Sequence, residues 1–264
     1  MSKIIVISGA SSGIGKATAK FFHNQGDKVI GLSRSYPKER YKYDYVLTDL
    51  SNEESVDNAV NEITKKYKYI DVLINCAGIG ISGAVEHTTL EEAKKIFDVN
   101  VIGQFYITKK FIPFLRKSKK GKIINIGSVA GELTIPFQTF YSMSKSAMHK
   151  FTEGLKIELK PLNIDVCSVL PGDTKTGFTK NRYQPQVVED DIYKDRIKNS
   201  IKKMEKDEQN GRNPISVVKV INKLIKRKNM PVQVTVGFDY KFLVFLGKVL
   251  PKRLASFIIS KIYG

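Results

Sequence analysis

Cysteine is scarce in this sequence, acids are outnumbered by bases, and no uninterrupted apolar run approaches the roughly 20 residues of a spanning helix. The 264 residues include two cysteines, Cys76 and Cys167, both inside apolar stretches. Neither falls into a metal-ligand spacing, so no metal site is expected and a reducing cytosol suits the chain. The opening "MSKIIVISG" enters a strand-like run with no charged leader and long apolar segment before it, so no secretory signal is expected. Linkers, internal repeats and low-complexity tracts are missing as well. One domain over 1–238 is the expectation, followed by a tail at 239–264. The acid deficit is large: 44 Lys and Arg stand against 26 Asp and Glu, a formal charge of +18. Such a field favours anionic partners, whether nucleic acid, acidic membrane, a phosphorylated cofactor or an acidic carrier, without choosing among them. Most of these bases sit where helix faces should meet water.

What the sequence does contain is alternation. Short β-branched runs at 3–9, 27–33, 43–49, 70–78, 121–128, 164–172 and 232–237 read as strands. Helical patterns lie between them, at 13–26, from about Ser55 to Tyr67, through a long stretch at 93–115, from about Phe140 to Leu159, and after Pro214. Ser51 with Glu54, and Thr89 with Glu92, have the spacing of capping boxes. The run at 70–78 lacks polar alternation, as expected where both faces of a strand are buried. Repeated β–α alternation implies an α/β fold with a doubly wound parallel sheet.

Two local patterns carry chemistry. The first strand runs into "SGASSGIG", which places Gly9, Gly13 and Gly15 between a strand and a helix, with Ser11, Ser12 and Ile14 in the same turn. A glycine turn at a helix N-terminus can hold a pyrophosphate, although the spacing is not the common G-x-G-x-x-G and such turns also serve packing. The second pattern is "YSMSK". Tyr141 and Lys145 are i and i+4 neighbours on one helix face. They form either a packing pair or an acid/base in which the ammonium favours the phenolate.

With "NCAG" at 75–78, Asn100, Ser128 and "PGDTKT" at 171–176, these motifs resemble the short-chain dehydrogenase/reductase family in order and spacing over residues 3–237. The resemblance implies a Rossmann-type domain with strand order 3-2-1-4-5-6-7 and a nicotinamide cofactor at the C-terminal ends of the strands. It also implies a carbonyl or alcohol as small-molecule substrate, and a homodimer or homotetramer. On the matched positions, Tyr141 is the catalytic acid/base, and Lys145 lowers its pKa and holds the nicotinamide ribose. Ser128 binds the substrate oxygen, and Asn100 organises a helix-kink water. Ala77 and Gly78, with Asn75, fall beside adenosine; Asp49, followed by Leu50, falls at the adenine. Pro171, Gly172 and either Thr174 or Thr176 fall at the nicotinamide.

Where NAD enzymes place an acid after the second strand, this chain has Ser33 followed by Arg34, with Lys38, Arg40 and Lys42 nearby. NADP(H) is therefore expected over NAD(H). Leu133, Ile135, Phe137 and Phe178 suggest an apolar substrate pocket beneath a lysine-rich mobile lid at 173–212, while His149 reads as a surface or subunit contact. After Asp239 the tail has five bases and no acid. It reads as two amphipathic helices, packed on the body or lying on an acidic membrane at the cytoplasmic face. The leading function is an NADP(H)-dependent interconversion of ketone or aldehyde and alcohol. The alternatives are a 3-ketoacyl-carrier reductase and a non-enzymatic dinucleotide sensor or nucleic-acid binder; no specific nucleic acid is expected.

Overall fold

The computed structural model describes residues 2–37, 42–178, 182–183 and 192–263. Seven strands form one parallel sheet: β1 Ile4–Ser8, β2 Lys28–Ser33, β3 Asp44–Leu47, β4 Val72–Asn75, β5 Gly121–Ile126, β6 Ile164–Leu170 and β7 Gln233–Thr235. Their order is β3-β2-β1-β4-β5-β6-β7. All neighbours pair in parallel, so every strand points its C-terminal end to the same edge.

Side chains alternate between the faces of this sheet. Ile5, Ile7, Val72 and Ile74 pack with Phe22 of α1 (Gly13–Asn24) and with Val217 and Ile221 of α7 (Ile215–Lys226). Val6, Ile30, Leu73 and Val166 pack on the other face. Their partners are Val60 of α2 (Glu53–Lys66), Phe111 of α4 (Gly103–Leu115) and Leu155 of α5 (Thr139–Leu159). Near the strands' ends the core turns polar. Ser8, Asn75, Asn125 and Ser168 stand in one register across β1, β4, β5 and β6, and all are buried.

Local signals differ from expectation at two places, the cap of α2 and the course of the long helix. The cap of α2 is Asn52, whose side chain accepts from Ser55 N at 2.8 Å; Ser51 instead donates to Asp49. The Thr89–Glu92 capping box is present at the start of α3 (Leu90–Phe97). The long helix that follows is interrupted by a π-helical turn at Asp98–Ile102, which separates α3 from α4. One residue more per turn swings Asn100 inward, where it is fully buried. Within the span expected to be a lid, α6 covers Lys194–Gln209; residues 179–181 and 184–191 lie outside the described residues. The tail forms α8 (Phe238–Val249) and α9 (Lys252–Tyr263). Val244 of α8 is buried against Val129 and Leu170, so the tail does pack on the body.

The turn after β1 depends on glycine. Gly9 takes φ +69, and a Cβ at Gly15 would stand 2.2 Å from the Gly9 carbonyl oxygen. Only a bare backbone lets α1 descend this close to the strand that feeds it. Gly15→Ala is expected to destabilise the chain by about 1–3 kcal/mol through overpacking, read as a lower melting temperature. An unchanged melting temperature would show that helix and turn separate without cost.

Candidate active site

A cavity of about 820 Å³ runs along the C-terminal edge of the sheet. Among the expected site residues, Gly9, Ser11, Ser12, Gly13, Ile14 and Gly15 line it, as do Arg34, Ala77 and Gly78. Ser128, Tyr141, Lys145, Pro171, Gly172, Thr174 and Thr176 line it too. Topology explains the convergence, because these residues follow β1, β2, β4, β5 and β6 or lie on α5.

Other expected residues stand elsewhere. Asn75 is buried in a polar ladder, donating to Thr108 Oγ1 and Asn125 Oδ1, and Asn125 continues it to Thr152. Its position in the strand register, rather than a ligand, accounts for it. Ser33 bonds to Ser35 O and to the Tyr45 hydroxyl. Asp49 is engaged by Ser51 and borders a separate shallow depression, while Leu50 packs in the core. Asn100 lies behind the cavity wall. Its Oδ1 accepts from Ile79 N at 2.8 Å, and its Nδ2 donates to Ile79 O and to Ser144 Oγ. Phe137, expected in the pocket, packs instead with Ala84 and Ile197. Lys38 and Arg40 lie outside the described residues.

The Tyr–Lys pair has the helical geometry its spacing requires. Lys145 Nζ lies 5.8 Å from the Tyr141 ring centroid and donates to Ile126 O at 2.9 Å. Burial pulls the Lys145 ammonium down to about 8. Burial also pushes the Tyr141 phenol up to about 12, with the Ser128 hydroxyl acting in the opposite direction. The phenol is therefore held above its ordinary value by burial, with no contribution from Lys145 among the causes. Removal of each group from water disfavours its charged form, which raises the phenol and lowers the ammonium.

The residues present fit a dinucleotide. An ammonium has three donors, and Ile126 O is the single protein acceptor for Lys145 among the described residues. A buried donor left over is costly, and ribose hydroxyls would satisfy it. Gly13 and Gly15 open α1, where backbone N–H groups have no intrahelical acceptor and favour phosphate.

Two features of the site, at His149 and Tyr240, were not read from sequence, and Phe178 was expected only as a pocket residue. His149 is buried rather than on the surface. Its Nδ1 lies 3.1 Å from Glu132 Oε1, and its Nε2 accepts from Ser128 N at 3.5 Å. The signal was present, since His149 is one turn beyond Lys145, but the folding of residues 129–131 over that turn was not foreseeable. Phe178 sets its ring 5.5 Å from that of Tyr141. Tyr240 of α8 donates to Asp173 at 2.6 Å, which brings the tail to the cavity; burial raises the Asp173 carboxyl.

Comparison with known proteins agrees with this geometry. The family model for short chain dehydrogenase matches residues 3–187. A 3-ketodihydrosphingosine reductase of Bacteroides thetaiotaomicron is 42% identical over 264 residues, covering 99% of this chain and 98% of its own. The crystal structure of a short-chain dehydrogenase from Streptomyces avermitilis superimposes with a TM-score of 0.83 at 26% identity, covering 99% of this chain and 97% of that one. A 3-ketoacyl-(acyl-carrier-protein) reductase from Brucella melitensis complexed with NADH gives a TM-score of 0.72 at 26% identity, over 89% of this chain and 95% of that one. The chain belongs to the short-chain dehydrogenase family and is an NAD(P)-dependent oxidoreductase of small-molecule carbonyl or alcohol substrates.

Proposed function

We propose that this enzyme is an NADPH-dependent reductase of a long-chain ketone, with 3-ketodihydrosphingosine as the first candidate. The observation that carries this reading is the extent of the cavity. From Tyr141 it passes Leu133, Ile135 and Phe178 and continues between Leu246, Leu250, Ile259 and Ile262 of the tail. A long apolar channel suits an alkyl chain and leaves the ketone at the polar end. The similarity to the Bacteroides reductase spans nearly the whole chain, whereas the carrier-protein reductase covers less of it, which favours the lipid ketone over a carrier-bound one. Reduction of 3-ketodihydrosphingosine followed by loss of NADPH absorbance tests the reading directly; no turnover, with other ketones reduced, retires the substrate.

When bound, the reduced nicotinamide supplies a hydride to the carbonyl carbon. The protein manages the oxygen. Ser128 Oγ donates a hydrogen bond to it, and Tyr141 passes its phenolic proton to the alkoxide that develops. Lys145 holds the cofactor ribose and lies beside the phenol. Asn100 serves as a positioning residue, because its amide fastens Ile79 in the loop after β4 to Ser144 on α5. Arg34 lines the cavity with Ser35 and Tyr36 and supplies a fork for a 2′-phosphate, while Ser33 leaves no acid to repel it. The exposed Ile102 of the π-turn, Phe105 of α4 and Ile157 of α5 support a homodimer or homotetramer through that face, and a cytoplasmic site suits the reduced thiols.

Tyr141→Phe should keep NADPH affinity and lose nearly all turnover, on the order of 10²-fold or more. Turnover within a few-fold of wild type would remove Tyr141 from the acid role. Arg34→Ala should weaken NADPH by about 1.5–3 kcal/mol and leave NADH almost unchanged; equal losses in two titrations would make Arg34 structural.

Lys145→Met separates function from stability. Turnover should collapse, while the melting temperature at pH 7 should rise because a buried charge is gone. The folded pKa of Lys145, about 8, lies below its ordinary 10.5, so its burial penalty is complete below pH 8 and fades as pH rises toward 10.5. The stability gain of the variant should fade over the same window. A variant less stable than wild type at pH 7 would show that the bond to Ile126 outweighs the burial penalty.

A further inference from the structure

The tail is more than a cover for the cavity. On α8, Phe238, Phe242, Phe245 and Val249 recur at helical spacing and are 85%, 53%, 58% and 56% exposed. On α9, Leu254 and Phe257 continue the patch. This is the apolar area left after the tail has packed on the body. Val244 is already buried, Tyr240 is bonded to Asp173 and Tyr263 to Asp207. An apolar patch of this extent marks an interaction surface.

Two further observations identify its occupant. Lys241, Lys252, Arg253 and Lys261 of the same two helices are exposed, as is Lys248, which pairs with Glu132, and the sequence after Asp239 contains no acid. Self-pairing through a two-fold axis would bring identical patches together and set these bases against their own copies; an anionic surface neutralises them. The cavity also opens through the patch, since Leu243, Ile258 and Ile262 both line it and stand partly in solvent. No helix among the described residues is long and apolar enough to cross a membrane.

We propose that α8 and α9 dock on a bilayer containing anionic lipid and open the cavity mouth toward its acyl region, so that an amphiphilic ketone enters chain-first from the membrane. The route of entry rests on the long-chain reading above, but the docking itself does not. Apolar insertion and the basic residues act together at such a surface.

The test uses the full chain with phosphatidylcholine vesicles, with and without phosphatidylglycerol. The protein should sediment with the anionic vesicles at low salt and much less at high salt or with phosphatidylcholine alone. The chain has no tryptophan, so Phe242→Trp places one indole in the patch, and its emission should shift to the blue on anionic vesicles. A Phe242→Ser/Phe245→Ser/Phe257→Ser variant changes only side chains outside the cavity wall; it should lose sedimentation while keeping its melting temperature and NADPH binding. Absence of sedimentation by the full chain at low salt overturns the proposal. So does equal sedimentation of the triple variant, or a dimer that the triple substitution dissociates without any vesicle binding. Vesicle binding with no reduction of long-chain ketones leaves the docking intact and retires the substrate; reduction of a detergent-dissolved ketone without vesicle binding does the reverse.

Discussion

An ammonium taken out of water needs its donors satisfied, and the catalytic end of this fold is arranged around that requirement at Lys145. Its bond to Ile126 O ties α5 to the end of β5. A Cβ at Gly78 would lie 3.5 Å from Nζ and 3.3 Å from Asn100 Oδ1, so the loop after β4, the π-turn and α5 meet at one crowded point. The Asn100 bonds to Ile79 and Ser144 hold that meeting point together. Below it, the buried row from Ser8 to Ser168 closes the apolar core. Tyr141 is placed because Lys145 and Ser144 are; its own contacts do not have to locate it.

Much of the architecture was legible because it depends on local pattern. β-branched runs without polar alternation became central strands, and their alternation with helical patterns implied a parallel sheet, while the strand order came only from the family resemblance. The glycine turn and the Tyr–Lys spacing marked the cavity because both are contiguous in sequence. What escaped were choices that depend on distant partners. Asn75 looked like a wall residue but bonds to Thr108 and Asn125, which reach it only through sheet register and α4. His149 looked peripheral until residues 129–131 folded against it. Asn52, not Ser51, caps α2 because Asp49 draws Ser51 away. No periodicity announces the π-turn, since an extra residue in a turn leaves the apolar spacing nearly unchanged.

The tail meets the expectation of packing on the body with one stripe and leaves another stripe free. One stripe of α8 completes the core near Leu170, and the opposite stripe remains in solvent. Lys248 bridges the two by pairing with Glu132 at 3.5 Å, and Glu132 also contacts His149 beside Ser128. The position of α8 is therefore linked through three side chains to the loop that carries Ser128. The charge of +18 acquires a specific place here: most bases are dispersed, but the five of the tail share two helices whose sequence after Asp239 holds no acid.

The burial of Tyr141 also bears on the proton that the proposed mechanism moves. A phenol raised to about 12 keeps its proton throughout the neutral range. An alkoxide is a far stronger base than a phenolate, so transfer from Tyr141 to the oxygen formed by hydride addition runs downhill. Alcohol oxidation requires the phenolate first, and burial opposes that form. A second positive charge near the phenol would ease this cost, but Lys145 is itself held near 8 by burial and cannot supply more than one. In the proposed mechanism, the same burial keeps on Tyr141 the proton that carbonyl reduction consumes, while the reactants and not this residue set the overall direction.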